Sequence, residues 1–163
     1  MVQNDFLDMY ESYFDDVYRY VYFKVGNRWD ADDIVSDIFK KAYEKYRNLN
    51  ASPKSWLFTI ARNTVIDFYK KEKDIAIGES LEQYAYPDIF EDKFDKEAEL
   101  NCLKKSIYSL QKEEVEIINL KYFSNMTNKE LSLILNKTED AVKMKSYRIV
   151  QKLKKLVNIC LEG

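Results

Sequence analysis

MTNKELSLILNKTEDAVKMKSYRIVQKLKKL, running from Met126 to Leu156, is the stretch on which the fold turns. Thr127 stands where an N-cap is needed and Glu130, three residues on, completes a capping box, with Leu131, Ile134 and Leu135 at helical spacing behind them. Asn136 predicts the stop, because asparagine tolerates the left-handed backbone that ends helices. Thr138 then caps a second helix whose first turn holds Glu139 and Asp140, acidic residues that suit the positive end of the helix dipole. Val142, Ile149, Leu153 and Leu156 form the inward stripe of that helix, which leaves Lys143, Lys145, Tyr147, Arg148 and Lys152 mainly outward. A helix-turn-helix presents such a surface to the major groove of a duplex. Basic faces on amphipathic helices are common, so the rest of the chain has to decide.

Composition narrows the class. The 163 residues are 46% hydrophobic and 33% charged, with only three glycines and two prolines. Apolar residues recur three and four apart, and no Asn-Gly or Asp-Gly turn separates apolar runs, so the expectation is an all-α protein of one or two compact domains. No apolar run approaches membrane-spanning length and the first residues lack a basic stretch leading into one, which predicts a cytoplasmic protein with no membrane insertion of its own. Cys102 and Cys160 lie far apart without the paired spacing of a zinc site, and are expected to be packed or idle thiols. With no histidine, the commonest general base and metal ligand is missing, and neither a metal nor a cofactor is expected.

The net charge of -2 hides a segregation. Residues 1–39 carry 3 basic and 9 acidic side chains, 40–73 carry 9 and 3, 74–99 carry 2 and 9, 100–125 carry 4 and 3, and 126–163 carry 8 and 4. Two basic blocks parted by an acidic one suggest two modules that face nucleic acid, since Lys and Arg neutralise phosphates and release counterions whatever the base sequence. The parting segment, Asp74 to about Glu99, contains Gly78 and Pro87 and lacks sustained helical period until about Asp92. It reads as a linker between modules at 1–73 and 100–163. Its acidity fits a solvated tether extended by self-repulsion or, alternatively, a segment that occupies a basic channel meant for nucleic acid.

The amino-terminal module reads as about four helices. Phe6 to Val25 presents a wide aromatic and aliphatic stripe with Gly26 and Asn27 as its stop. Asp30 or Asp32 can cap a second helix in which Ile34, Val35, Ile38, Phe39, Ala42 and Tyr46 face inward and Asp33, Asp37, Lys41 and Lys45 outward. Pro53 suits the first turn of a third, PKSWLFTIARNTVIDFYKKE, in which Trp56, Leu57, Ile60, Ala61, Val65 and Phe68 can pack while Arg62, Asn63, Asp67, Lys70 and Lys71 stay polar. An amide, cations and nearby rings suit single-stranded nucleic acid, whose unstacked bases need stacking platforms and edge hydrogen bonds. For any one ring, burial in the core is the commoner fate.

DADDIVSDIFKKAYEKY at Asp30 to Tyr46, SWLFTIARNTVIDFYKK at Ser55 to Lys71, and the helix-turn-helix with TEDAVKMKSYR at Thr138 to Arg148 together resemble the extracytoplasmic-function sigma factors of bacterial RNA polymerase. YRYVYFKVGNRWDADD at Tyr18 to Asp33 extends the resemblance upstream, and the three blocks occur in the family's order with a variable acidic linker between. The fold it implies is two small helical domains, sigma domain 2 at 1–73 and helix-turn-helix sigma domain 4 at 100–163, joined by the flexible linker 74–99. The function it implies is that of a dissociable specificity subunit without chemistry of its own, which binds core polymerase through the β′ clamp helices and the β subunit and directs promoter-specific initiation.

The resemblance also implies roles. Asp30, Asp33, Ile34 and Asp37 match the clamp-docking positions. Asn63 matches the amide of a pocket that captures a flipped base of the melted minus-ten strand, with Lys54, Trp56, Arg62, Lys70 and Lys71 on the strand-facing surface. Lys143, Met144, Lys145, Tyr147 and Arg148 match the positions that read the minus-thirty-five duplex. The linker is expected to thread toward the active site and RNA exit path, which favours channel filling. An anti-sigma factor is a further partner the family admits, wrapping or wedging between the two domains.

The chain departs from the family pattern at particular places. Lys143 and Lys145 stand where relatives often carry arginine, and lysine lacks the bidentate fork that arginine offers guanine. Ser146 replaces a common apolar residue, and Asn136 the usual glycine of the turn. Two other classes compete. A conventional dimeric helix-turn-helix regulator would bind an operator duplex alone. A magnesium enzyme built on Asp30, Asp33 and Asp37 would need a second carboxylate helix, and Pro53 to Glu72 offers only Asp67 and Glu72 among many cations.

Overall fold

The computed structural model describes residues 2–47, 52–75, 84–86 and 96–163. Most of the expected linker, 74–99, lies outside the described residues. Those described are helical with no strand among them, and they form two separate units, Met1–Ala85 and Tyr86–Gly163.

The first unit is built from α1 (Val2–Val25), α2 (Arg28–Lys45) and α3 (Pro53–Ile75), each packed against the other two. These three stand, among the described residues, where about four helices were expected. Val17, Tyr20, Val21 and Phe23 of α1 meet Ile34, Val35, Ile38 and Phe39 of α2 and Leu57, Phe58, Ala61 and Val65 of α3 in a core from which solvent is almost excluded. Rings are a large part of it: Tyr20 stands edge-on to Phe58 at 5.6 Å, and at the core's margin the exposed Tyr10 stands edge-on to Phe39 at 4.7 Å, geometries that satisfy the ring quadrupoles. Beyond α3, Tyr84 stacks on Phe23 at 4.6 Å and the Ala85 amide donates to the Phe23 carbonyl. The cap of α2 is Asn27, rather than Asp30 or Asp32. Its Oδ1 accepts from the Asp30 amide and its Nδ2 donates to the Asp30 carboxylate, both at 2.9 Å. Gly26 supplies the positive φ of 83° that turns the chain between α1 and α2.

The second unit comprises α4 (Glu97–Tyr108), α5 (Lys112–Ile118), a π-helical turn (Asn119–Phe123), α6 (Asn128–Leu135) and α7 (Glu139–Glu162). Tyr86 joins it, its ring against Tyr108 and Phe123 and its hydroxyl donating to the Lys104 carbonyl. The local signals in the sequence are realised at α6 and α7. Thr127 and Glu130 close a capping box, Asn136 ends α6 in the left-handed region (φ 54°, ψ 46°), and the Thr138 hydroxyl accepts from the Ala141 amide to start α7. Val142, Ile149 and Leu153 are buried, as the inward stripe requires; Leu156 is half-buried and Ser146 is buried among them.

One expectation is overturned here. Cys102 and Cys160 are not idle thiols but a disulfide, with Cα atoms 5.7 Å apart. The cause is tertiary: α4 packs along α7, which brings the middle of one helix to the last turn of the other and leaves the cysteines at bridging distance across 58 residues of sequence. No spacing rule reports such a pairing.

Candidate nucleic-acid interface

On α2, Asp30, Asp33 and Asp37 recur at i, i+3 and i+7 and so lie along one side of the helix. Asp33 and Asp37 are exposed, Asp37 within 3.2 Å of Lys41 one turn on. Asp30 is half-buried and committed to the Asn27 cap. Ile34 is 6% exposed and belongs to the core, so its contribution to any partner is through the helix it anchors. Trp29, which the resemblance did not single out, is 86% exposed in the first turn of the same helix. A tryptophan with that much apolar surface in water is the residue type most enriched at the centre of protein interfaces.

On α3, Asn63, Lys70 and Lys71 are exposed, and Thr59, Ile66 and Asp67 are exposed on the same side. Trp56 is half-buried with its ring edge-on to Tyr46 at 6.1 Å, and Arg62 is half-buried. Lys54 is placed differently from the strand-facing surface expected of it. It is 5% exposed, its Nζ is 2.8 Å from Asp16 Oδ2, and it lies over the rings of Tyr13 and Phe58 at 5.5 and 6.0 Å. Arg19 bonds the other oxygen of Asp16. A buried ammonium must be paired in this way, because removing it from water uncompensated is prohibitively costly. Lys54 is therefore part of the unit's interior.

In the second unit, Lys143, Met144, Tyr147 and Arg148 are exposed and form one face, at i, i+1, i+4 and i+5 of α7. Lys145 is turned to another side. Its Nζ lies 2.5 Å from Glu113 Oε1, which also accepts from Lys137 at 2.9 Å, and further along α7 Lys152 reaches Glu114 at 3.1 Å. Hydrogen bonds from Lys145 and Lys137 hold the Glu113 carboxyl at about 2, below its ordinary 4.5, and the same carboxylate raises Lys137. The start of α5 thus supplies two carboxylates that neutralise three cations of the turn and the second helix. Sequence reading missed Glu113 and Lys137 because their partners lie 24 to 32 residues away. Ser146, at the common apolar position, is buried with its hydroxyl unpartnered among the described residues.

Among the described residues no group of three carboxylates or thiols converges as a metal site would require, and no helix is long and apolar enough to cross a membrane.

Comparison with known proteins accounts for this layout. Residues 9–75 match the family model of Sigma-70 region 2. The chain is 28% identical over 155 residues to the ECF RNA polymerase sigma factor BldN of Streptomyces coelicolor, covering 91% of this chain and 59% of that protein's length. It is 28% identical over 153 residues to the ECF RNA polymerase sigma factor SigM of Bacillus subtilis, covering 93% of this chain and 94% of that one. Among solved structures, the sigma factor RpoE of Bartonella quintana, crystallised with the anti-sigma factor NepR, shares the fold with a TM-score of 0.66 at 22% identity over 95% of this chain and 98% of that one. CnrH, solved with the cytosolic domain of CnrY, gives the same TM-score at 19% identity over 96% and 90%. A region 2 match on the three-helix unit and a shared helical fold agree with the relatives: along most of its length the chain is similar to extracytoplasmic-function sigma factors.

Proposed function

We propose that this chain is a cytoplasmic, dissociable subunit that binds core RNA polymerase and directs initiation at a specific class of promoters, reading the minus-ten element as melted strand and the minus-thirty-five element as duplex. The observation that carries the reading is the pairing of a Sigma-70 region 2 unit with a separate helix-turn-helix whose Lys143, Met144, Tyr147 and Arg148 stand open on one face. Asp33 and Asp37, backed by Ile34, dock on the polymerase β′ clamp helices, and Asp30 holds the start of that docking helix in place. Asn63 takes the edge of a flipped base, with Trp56, Arg62, Lys70 and Lys71 around the strand. Unstacking a base costs a few kcal/mol, so the pocket must return a comparable amount in edge and stacking contacts. Lys54 supports that surface from inside.

Lys143 and Arg148 serve the duplex by contacting phosphate and base edges, which position and specify respectively. Lys145 enters only if it leaves Glu113. Residues 74–99 act as the linker between the two domains, 1–73 and 100–163. The solved relative held by an anti-sigma factor supports a partner of that kind here, masking the polymerase-facing surfaces.

The net charge of -2 works against tight binding of the free chain to DNA, whose affinity for proteins is dominated by phosphate neutralisation. The chain alone should therefore bind promoter duplex poorly, and addition of core polymerase should yield transcription from discrete start sites. Failure to capture core polymerase in a pull-down sinks the proposal. Asn63→Ala should impair promoter melting, read by permanganate reactivity, more than closed-complex formation; intact melting removes the pocket assignment.

A further inference from the structure

The disulfide closes a loop of particular content. Between Cys102 and Cys160 lie the second half of α4, all of α5, the π turn, α6, the Asn136 turn and α7 up to its last turn, which is the whole duplex-reading apparatus. The bond sits at the far end of α7 from the reading face: twelve residues separate Arg148 from Cys160, about 18 Å at the rise of an α-helix. Forming it leaves Lys143, Met144, Tyr147 and Arg148 exposed. Around Cys160 little else anchors the helix end, since Ile159 is 65% exposed and Leu161, Glu162 and Gly163 are exposed as well. Cys102 is buried whereas Cys160 is only half-buried, so an incoming thiolate reaches the bond from the α7 side.

We propose that Cys102 and Cys160 form a reversible thiol–disulfide switch in which oxidation stiffens the duplex-reading unit and reduction loosens it, so that the oxidised chain is the form competent at promoters that depend on the upstream element. The regulatory half of this rests on the function proposed above, which places the chain in a compartment where disulfides are characteristically transient or redox-sensing. Oxidation is a two-electron exchange with a small-molecule disulfide of the glutathione type. The Cys160 thiolate attacks one sulfur of the oxidant and expels the first thiolate. Cys102 then attacks the Cys160 sulfur of the mixed disulfide and expels the second; two protein thiols become one bond and the oxidant leaves as two thiols. A dithiol reductant reverses the exchange by attacking Cys160 and releasing Cys102. Because a closed loop restricts the unfolded chain, the bond raises the stability of this unit and leaves the first unit untouched.

The test uses the full chain equilibrated across glutathione redox buffers, with free thiols counted by alkylation mass shift, thermal unfolding followed in each state, and upstream-element occupancy measured with core polymerase by footprinting. The expected result is a single two-electron transition and a second-unit melting temperature lower by roughly 10–20 °C in the reduced state. At temperatures between the two melts, upstream-element occupancy should fall several-fold on reduction. Cys102→Ser and Cys160→Ser should each behave as the reduced chain in both buffers; the wild-type comparison alone decides the matter should a variant fail to fold. Equal melting and equal occupancy of the two forms overturn the proposal. So does a bond that never forms with oxidised glutathione, or one that resists excess dithiol under native conditions. Failure of both forms to engage core polymerase faults the functional reading instead, and the melting difference still separates a switch from an inert bond.

Discussion

The two units solve the same problem, holding short helices together, by different means. Of the 24 aromatic residues, 17 fall within residues 1–85, and there the core is closed by ring-on-ring packing with a buried ion pair, Asp16 to Lys54, set into it. Residues 86–163 have few rings, a disulfide from α4 to the last turn of α7, and surface pairs between α5 and α7 that contribute little. Small domains bury a smaller fraction of their surface than large ones and often need a covalent staple. The lesson is that a unit closed by rings can bury a charge with its partner, whereas one that keeps its cations in water finds stability elsewhere.

Asp16→Ala should sharpen that contrast most. It leaves the Lys54 ammonium buried without its carboxylate and should lower the stability of the first unit by about 3–5 kcal/mol. Calorimetry should show the first-unit transition falling while the second stays put; a common shift of both transitions would break the comparison. Lys54→Met, which removes the charge and keeps the volume, should cost far less. Next in size, Lys143→Ala with Arg148→Ala should weaken upstream-element occupancy in the polymerase complex by roughly tenfold or more and leave both transitions unmoved, since the two side chains are exposed. An unchanged footprint would remove the reading face. Asn136→Ala places a Cβ-bearing residue without a compensating amide at φ 54° and should cost the second unit about 1 kcal/mol, whereas Asn136→Gly should be tolerated; equal behaviour of the two would contradict the left-handed cap.

The smallest effect on stability belongs to Glu113→Gln. It frees Lys137 and Lys145, so duplex binding should gain a steeper salt dependence by about one to two in the log–log slope. The pH dependence derives from the depressed carboxyl. Its stabilising contribution is complete above the ordinary value of 4.5 and is lost as the pH falls toward about 2, so the difference in melting between wild type and variant should vanish over that interval. A difference that persists unchanged at the acid end would show that Glu113 acts through something other than its charge.

What the sequence made legible was local. Thr127, Glu130, Asn136 and Thr138 act within four residues of themselves, and their caps are where their spacing puts them. Periodicity likewise placed Ile34 on the inward stripe of α2, and it is buried there. Lys54 read as a surface cation because nothing near it in sequence announces Asp16, 38 residues away. Glu113 and the cysteine pair were illegible for the same reason: each is made by the packing of helices distant along the chain, which no window of residues contains.

The π turn at Asn119–Phe123 carries one residue more than an α-helix would hold in the same length, with the Ser124 amide reaching back five places to the Asn119 carbonyl. The wider turn takes up that surplus residue without advancing the phase of the chain beyond it, and Phe123 and Met126 are 7% and 3% exposed. Excising one residue from an ordinary α-helical turn swings the side chains beyond it by about 100°, whereas excising one here would let the wide turn rewind as an α turn and keep that phase. A one-codon deletion within α7 would therefore act as a rotation, carrying core residues out to water, while the same deletion in the π turn would be absorbed by rewinding, so this short stretch is where the unit best tolerates a change of length.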